Sequence, residues 1–256
     1  PMEEDDVVIG VNFRTDRMFQ IVQSLEKEDF AEFEREVRVK DVVCIGPYSD
    51  HLPIAYPAPQ LKNTLTEVVS NQGLKTLKIS ETDKWAHTTF FFNGQRKEPF
   101  QGEDRILIDS PKVPNFASAP EMSADKLTDT LIKNVEEETY DLIVINYANP
   151  DLVGHGANVD AAVIACETVD RNLERLLPAL EEHGYEWIVT ADHGNIEAMI
   201  AEDGSVLPSH TANPVQTFVH SDKFSTSDSI KDKTGIKDIA PMILTMMDIP
   251  VPSEMQ

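Results

Sequence analysis

Cysteine is nearly absent: Cys44 and Cys166 are the two thiols in 256 residues, far apart and outside any C-x-x-C spacing. A disulfide framework is excluded, a reducing compartment such as the cytoplasm fits, and both read as small buried thiols. Bases are also scarce. Lys plus Arg number 22 against 45 Asp plus Glu, a net charge of −23 and a pI near 4.5. Nucleic acid and anionic membrane surfaces are gripped by clustered Lys and Arg, so both are excluded as partners. No apolar run approaches the ~20 residues that a membrane helix needs. Residues 1–10 hold four acids and no base, so no secretory signal is expected. Pro1 stands where Met is usual, and the strand-like run Val7–Val11 follows almost at once. This start reads as a chain cut from something longer.

Enough apolar residue is present, 41%, for a packed core. Short apolar runs alternate with stretches of helical period. Strands are expected at Val7–Val11, Ile106–Ile108, Leu142–Asn146, Trp187–Ala191 and Val215–Val219. The clearest helix is Asn158–Glu182, with the stripe Val159, Val163, Cys166, Val169, Leu173, Leu176 and Leu180, Asn158 as N-cap and Gly184 as stop. Further helices are expected after Ser123, over Leu61–Ser70 and over Asp238–Met247. Strand, helix and strand from Leu142 to Ala191 read as a βαβ crossover, hence a parallel sheet covered by helices. Pro53, Pro57 and Pro59 mark a linker. The expected domains are 1–57, part of a smaller unit with its linker, and 58–256.

In such sheets ligands gather at the carboxyl ends of the strands. The strand Leu142–Asn146 runs into Asn149–His155, which contains Asp151 and His155. Trp187–Ala191 runs into Asp192-His193-Gly194-Asn195, and Pro208-Ser209-His210-Thr211 precedes the last strand. Three loops thus bring two carboxylates and three imidazoles toward one sheet edge. Mixed carboxylate and imidazole donors suit Mn, Zn or Fe better than Ca. The adjacent Asp192 and His193 suggest a second ion, and two ions together form a clamp for phosphoryl transfer. His51, His183 and His220 lack this context and read as surface or structural. Lys84, in Glu81–His87, is either a surface lysine or a point charge on a phosphoryl group. The triplet Phe90–Phe92 before Asn93-Gly94 reads as a core strand with a turn. Arg14 and Arg17 follow the first strand at i, i+3 and suit carboxylate or phosphate, with surface charge an equal reading.

With these blocks aligned, the chain resembles the cofactor-independent phosphoglycerate mutase family of the alkaline phosphatase superfamily. Thr190–Asn195 is moderately specific. Asn149–His155, Glu81–Gly94, Ser110-Pro111-Lys112-Val113 and Pro120–Ala124 are more so. The resemblance implies an α/β fold: an alkaline-phosphatase-like, mostly parallel sheet with helices on both faces, plus the C-terminal part of a smaller α/β substrate domain. It implies that Asp151, His155 and His210 hold one manganese ion and that Asp192 and His193 belong to a second site. Lys84 is the implied catalytic lysine on the phosphoryl group, and Arg14 and Arg17 with it bind phosphoglycerate. The implied reaction interconverts 3- and 2-phosphoglycerate in glycolysis through a phosphoserine, in a monomer at full length. Leu152, Gly156, Ala157, Thr15 and Trp85 depart from the family pattern without removing a ligand. The nucleophilic Ser and another metal-binding Asp are implied upstream of this chain, and Ser209 reads as a loop serine. Another metal-dependent phosphomutase or phosphatase of the superfamily, or a non-catalytic fragment, stays open.

Overall fold

The computed structural model describes residues 2–12, 15–49, 51–57, 61–224 and 235–256, with backbone alone for 15–17. The chain divides into two compact units, Pro1–Leu61 and Lys62–Gln256.

In the first unit, β1 (Val7–Gly10) and β2 (Asp41–Cys44) pair in parallel, and α1 (Thr15–Glu26) crosses between them. Met18, Val22, Val39, Val42, Cys44 and Tyr48 form its core. Tyr48 is fully buried, and its hydroxyl accepts the Asn12 N–H at 3.0 Å, so the ring fills the core without stranding its polar tip. β2 was not anticipated, because four residues ending at a cysteine carry little periodic signal.

The second unit begins with α2 (Leu65–Asn71), β3 (Thr76–Glu81), β4 (Glu103–Ile108), α3 (Ala124–Glu136) and β5 (Leu142–Asn146). The strands form a parallel sheet in the order β4-β3-β5, with Ile79 opposite both Ile106 and Ile145. Parallel sheets need cover on both faces. On one face Leu77, Ile79 and Ile108 meet Leu127, Leu131 and Val135 of α3. Leu176 and Leu180 of α5 (Val159–Glu182) close that cluster. On the other face Leu142 packs with Leu65, Val68 and Val69 of α2 and with Leu244 of α6 (Ile239–Met246). The expected α/β class with helices on both faces is therefore present.

β3 is the central strand, and the sequence reading missed it. Thr-Leu-Lys-Ile-Ser-Glu alternates like a half-exposed strand, yet all six residues are buried. Lys78 is completely buried. Its ammonium donates to Asn93 Oδ1, stands 3.6 Å from Glu103 Oε1 and lies 4.5 Å from the Phe92 ring centre. Burial pushes the Lys78 pKa down to about 8, against the pull of Glu103.

Four further expectations need correction. Residues His87–Phe91 form a π-helix, not a strand, with the Thr88 and Thr89 hydroxyls donating to the Lys84 and Trp85 carbonyls. Asn149–Gly154 is a short helix, α4, not a loop. In α5 the buried face is Ala161, Ala162, Ala165, Thr168, Asn172, Leu176 and Leu180, while Val159 and Val163 are 51% exposed. Close packing against α3 and α4 selects small residues, and buried Asn172 donates to Asp125 of α3 at 2.8 Å. Cys166 is accordingly exposed, and only Cys44 is a buried thiol.

The fourth concerns the crossover. β6 (Trp187–Thr190) does not join the β5 sheet; it pairs antiparallel with β7 (Thr217–His220) in a separate two-stranded sheet. A helical crossover returns the chain to the same layer but does not oblige the two strands to be neighbours. Trp187 still packs against the α3–α5 cluster, so β6 starts at the main core.

Candidate metal centre

Asp151 organises the site. It lies in the first turn of α4, which Pro150 opens in the position that suits a residue without an N–H. One helical turn on, His155 ends the helix on the same face. The two Asp151 oxygens have different partners. Oδ2 accepts from the Lys84 ammonium, which the short 3₁₀ turn Thr82–Lys84 delivers from the end of β3. Oδ1 faces His155 Nε2 at 3.2 Å and His210 Nε2 at 3.0 Å. The two Nε2 atoms are themselves 3.3 Å apart. Among the described residues, Asp151, His155 and His210 are the one group of three such side chains converging this closely.

The donor chemistry fits a divalent cation. His155 Nδ1 contacts the Pro208 carbonyl oxygen at 2.6 Å, and a carbonyl can only accept. Nδ1 therefore carries the proton, and in the neutral ring Nε2 turns its lone pair toward Asp151. That is the tautomer a metal-binding imidazole requires. Burial of the Asp151 carboxyl would raise its pKa. Hydrogen bonds from Lys84 and Asn195 and the charge of Lys84 overcome this and hold it at about 2. It is thus an anion ready for a cation.

Asp192 and His193 follow β6. His193 stacks face to face on His210, with ring centres 3.6 Å apart, and its Nε2 lies 3.6 Å from Asp192 Oδ2. Both line a pocket of about 310 Å³ with Thr190, Thr211, Asn213 and Thr217. All five residues expected to hold metal therefore meet in one region, three converging and two adjoining. Of the expected substrate arginines, Arg14 lies outside the described residues, as does the Arg17 side chain. His51, His183 and His220 pair instead with Glu26, Glu138 and Glu181.

Three supporting residues escaped the sequence reading. Asn195 donates from Nδ2 to Asp151 Oδ1 at 2.8 Å and to its carbonyl at 3.1 Å. Asn149 ties α4 to the Pro120 carbonyl at 2.8 Å. Glu81, fully buried at the end of β3, accepts the Ser123 N–H at 3.1 Å and so holds the start of α3 beside the Lys84 turn. Burial raises its pKa against the bond from the Ser123 N–H. Signals existed: Asn195 closes the Asp-His-Gly segment, and Glu81 opens the Lys84 block.

A pair of strand-borne loops, a short helix and a buried lysine thus surround one carboxylate with imidazole nitrogens, a donor set that fits a divalent cation. Residues 35–251 match the family model of the metalloenzyme superfamily, and the chain belongs to that superfamily. More particularly, residues 1–50 match the model of the BPG-independent PGAM N-terminus. The chain is 47% identical over 260 residues to a 2,3-bisphosphoglycerate-independent phosphoglycerate mutase of Shewanella sp. (strain W3-18-1), covering 100% of this chain and 50% of the relative. The enzyme of the same name from Shewanella sp. (strain ANA-3) is 48% identical over 99% of this chain and 49% of its own length. A crystal structure of Leishmania mexicana phosphoglycerate mutase at low cobalt concentration superposes with a TM-score of 0.83 at 26% identity, covering 100% of this chain and 50% of that one. The chain spans about half the length of the curated relatives it matches. Among the described residues, no helix is long and apolar enough to cross a membrane.

Proposed function

We propose that the chain supplies the metal-binding half of a 2,3-bisphosphoglycerate-independent phosphoglycerate mutase. That enzyme is an isomerase interconverting 3- and 2-phosphoglycerate in glycolysis and gluconeogenesis through a phosphoserine intermediate. The observation that carries this reading is the division of one carboxylate, with Lys84 on Asp151 Oδ2 and two imidazoles on Oδ1. It supports a site where a cation and a lysine act side by side on one phosphoryl group. Asp151, His155 and His210 are the proposed ligands of one manganese ion, and Asp192 and His193 part of the set for a second. When bound, two divalent ions supply the positive charge that lowers the pKa of a nucleophilic hydroxyl and screens the transferring phosphoryl group.

The chain's own groups do the rest. Lys84 is a compact ammonium on a nearly buried stem, and a point charge of this kind suits a phosphoryl oxygen. Pro208 fixes the His155 tautomer and keeps its lone pair inward. Arg14 and Arg17 are proposed to bind the phosphoglycerate. The nucleophilic serine is assigned to the half of the relatives that this chain does not span.

The test offers 3-phosphoglycerate, a phosphopentose and an aryl phosphate to this chain alone and to this chain joined to that other half. Interconversion of phosphoglycerates by the joined form alone is the expected result. Turnover confined to the aryl phosphate would overturn the mutase reading. Mutase turnover by a preparation of intact mass 28.6 kDa would show that the nucleophile lies within this chain.

A further inference from the structure

Glu197 stands in a 3₁₀ turn, Ile196–Ala198, just past the Asp192–Asn195 segment. Its side chain is exposed, and it lies outside the convergent donor group. An exposed acid of this kind ordinarily reads as surface charge. Its hydrogen bonds say otherwise. Oε2 accepts the Asn195 N–H at 2.6 Å. Oε1 accepts from the Thr211 hydroxyl and from Asn213 Nδ2, the latter at 3.0 Å. One carboxylate thereby spans two loops. The first carries His193 and also Asn195, which grips Asp151. The second carries His210 next to Thr211.

Two glycines make the approach possible. A Cβ on Gly194 would fall well inside van der Waals contact of both Thr211 Oγ1 and Glu197 Oε1. A Cβ on Gly154 would meet Asn195 Oδ1 at 2.8 Å. The backbone closes the same junction, since Gly194 and Thr211 form an antiparallel bridge and Thr211 N–H donates to the Gly194 carbonyl at 2.8 Å.

We propose that Glu197 is a positioning residue: by bonding Asn195, Thr211 and Asn213 together it sets His210 against His155 and Asp151, and so fixes the affinity of the site for a divalent cation. This rests on the metal-site reading above. Partners one bond removed from metal ligands typically change affinity by about 10- to 100-fold when removed.

The experiment titrates the whole 256-residue chain with Mn²⁺ by calorimetry, as parent, Glu197→Ala, Gly194→Ala and Asp151→Asn, with thermal melts of each without metal. Glu197→Ala is expected to weaken Mn²⁺ binding about 10- to 100-fold, with a metal-free melting temperature close to the parent's. Gly194→Ala should reproduce that loss, because its methyl group displaces the same carboxylate while Glu197 remains. Faster amide exchange at Thr211 in both variants is the second expected readout, and it stands even if metal-free melting shifts. Parental Mn²⁺ affinity in Glu197→Ala, with Asp151→Asn deficient, overturns the positioning role alone. Parental affinity in Asp151→Asn, or no binding by the parent, overturns the metal-site reading and this role with it.

Discussion

Lys84→Met should make metal binding tighter while abolishing turnover in the joined enzyme. In the metal-free chain the Lys84 ammonium occupies Asp151 Oδ2, where both side chains are mostly withdrawn from water, 9% and 15% exposed. The Asp151 pKa falls from 3.8 to about 2 although burial alone would raise it. That depression corresponds to about 2 kcal/mol favouring the ionised form, with the Lys84 hydrogen bond the largest of the causes that lower it. Removing the ammonium should therefore cost the metal-free fold on the order of 2 kcal/mol, a drop in melting temperature of roughly 4–8 °C for a chain of this size. The same change leaves an anionic carboxylate with no competing cation. A charged hydrogen bond is worth about 1.5–3 kcal/mol, so Mn²⁺ should bind roughly 10- to 100-fold more tightly. Calorimetry gives the affinity, and melts with and without Mn²⁺ show whether the stability deficit shrinks as metal is added. Equal or weaker Mn²⁺ affinity in the variant, with the same deficit at every metal concentration, would refute the reasoning. It would mean that Lys84 does not compete for the carboxylate.

Other outcomes follow from the same structure. Asp151 has a depressed folded pKa, so its contribution is full above about 3.8 and is lost as pH falls through about 2; metal-free acid unfolding should show this loss, and Asp151→Asn should lack it. Lys78 has a folded pKa of about 8 against 10.5, so the unfolded chain binds more protons between those values and stability should rise with pH across that window. Lys78→Met should erase that rise and lower urea-measured stability near neutrality by about 1–3 kcal/mol, because Asn93 Oδ1 loses its donor. Glu81 is raised by burial, so ionising it works against the fold; Glu81→Gln should flatten the loss of stability that wild type shows as pH rises above 4.5. In the joined enzyme, moderate salt should speed turnover from low ionic strength, since a chain of net charge −23 repels an anionic substrate; a rate that falls monotonically with salt would contradict this.

The sequence disclosed elements wherever one period ran uninterrupted. β5 appears with the expected bounds, and Asn158 caps α5 as its side chain suggested, accepting the Ala161 N–H at 3.0 Å. It failed where burial is polar. β3 was missed because Lys78 and Ser80 interrupt its apolar run, yet both are fully buried at the centre of the sheet. The expected α5 stripe runs through its largest apolar residues, and close helix contact selects the alanines instead. The Phe90–Phe92 run has strand composition, but threonine hydroxyls bonded one turn back hold it in a π-helix. Each failure has the same origin: composition records what a side chain prefers, while a partner four residues or a whole helix away decides where it goes.

The five expected metal-binding residues meet in one region, although the route that predicted their meeting was wrong. The expectation was that β5 and β6 are neighbours in one sheet, so that their loops would adjoin by register. The strands lie in different sheets. What joins the loops is a set of side-chain and backbone contacts beyond the strand ends: Asn195 to Asp151, Glu197 to Thr211 and Asn213, Pro208 to His155, and the Gly194–Thr211 bridge. A site built from sheet register alone would inherit the rigidity of the sheet. This one depends on glycines that admit a close approach and on an exposed glutamate. Its geometry should therefore yield first at Gly194 and Glu197, while the Lys84–Asp151 pair, seated on β3 and α4, stays in place.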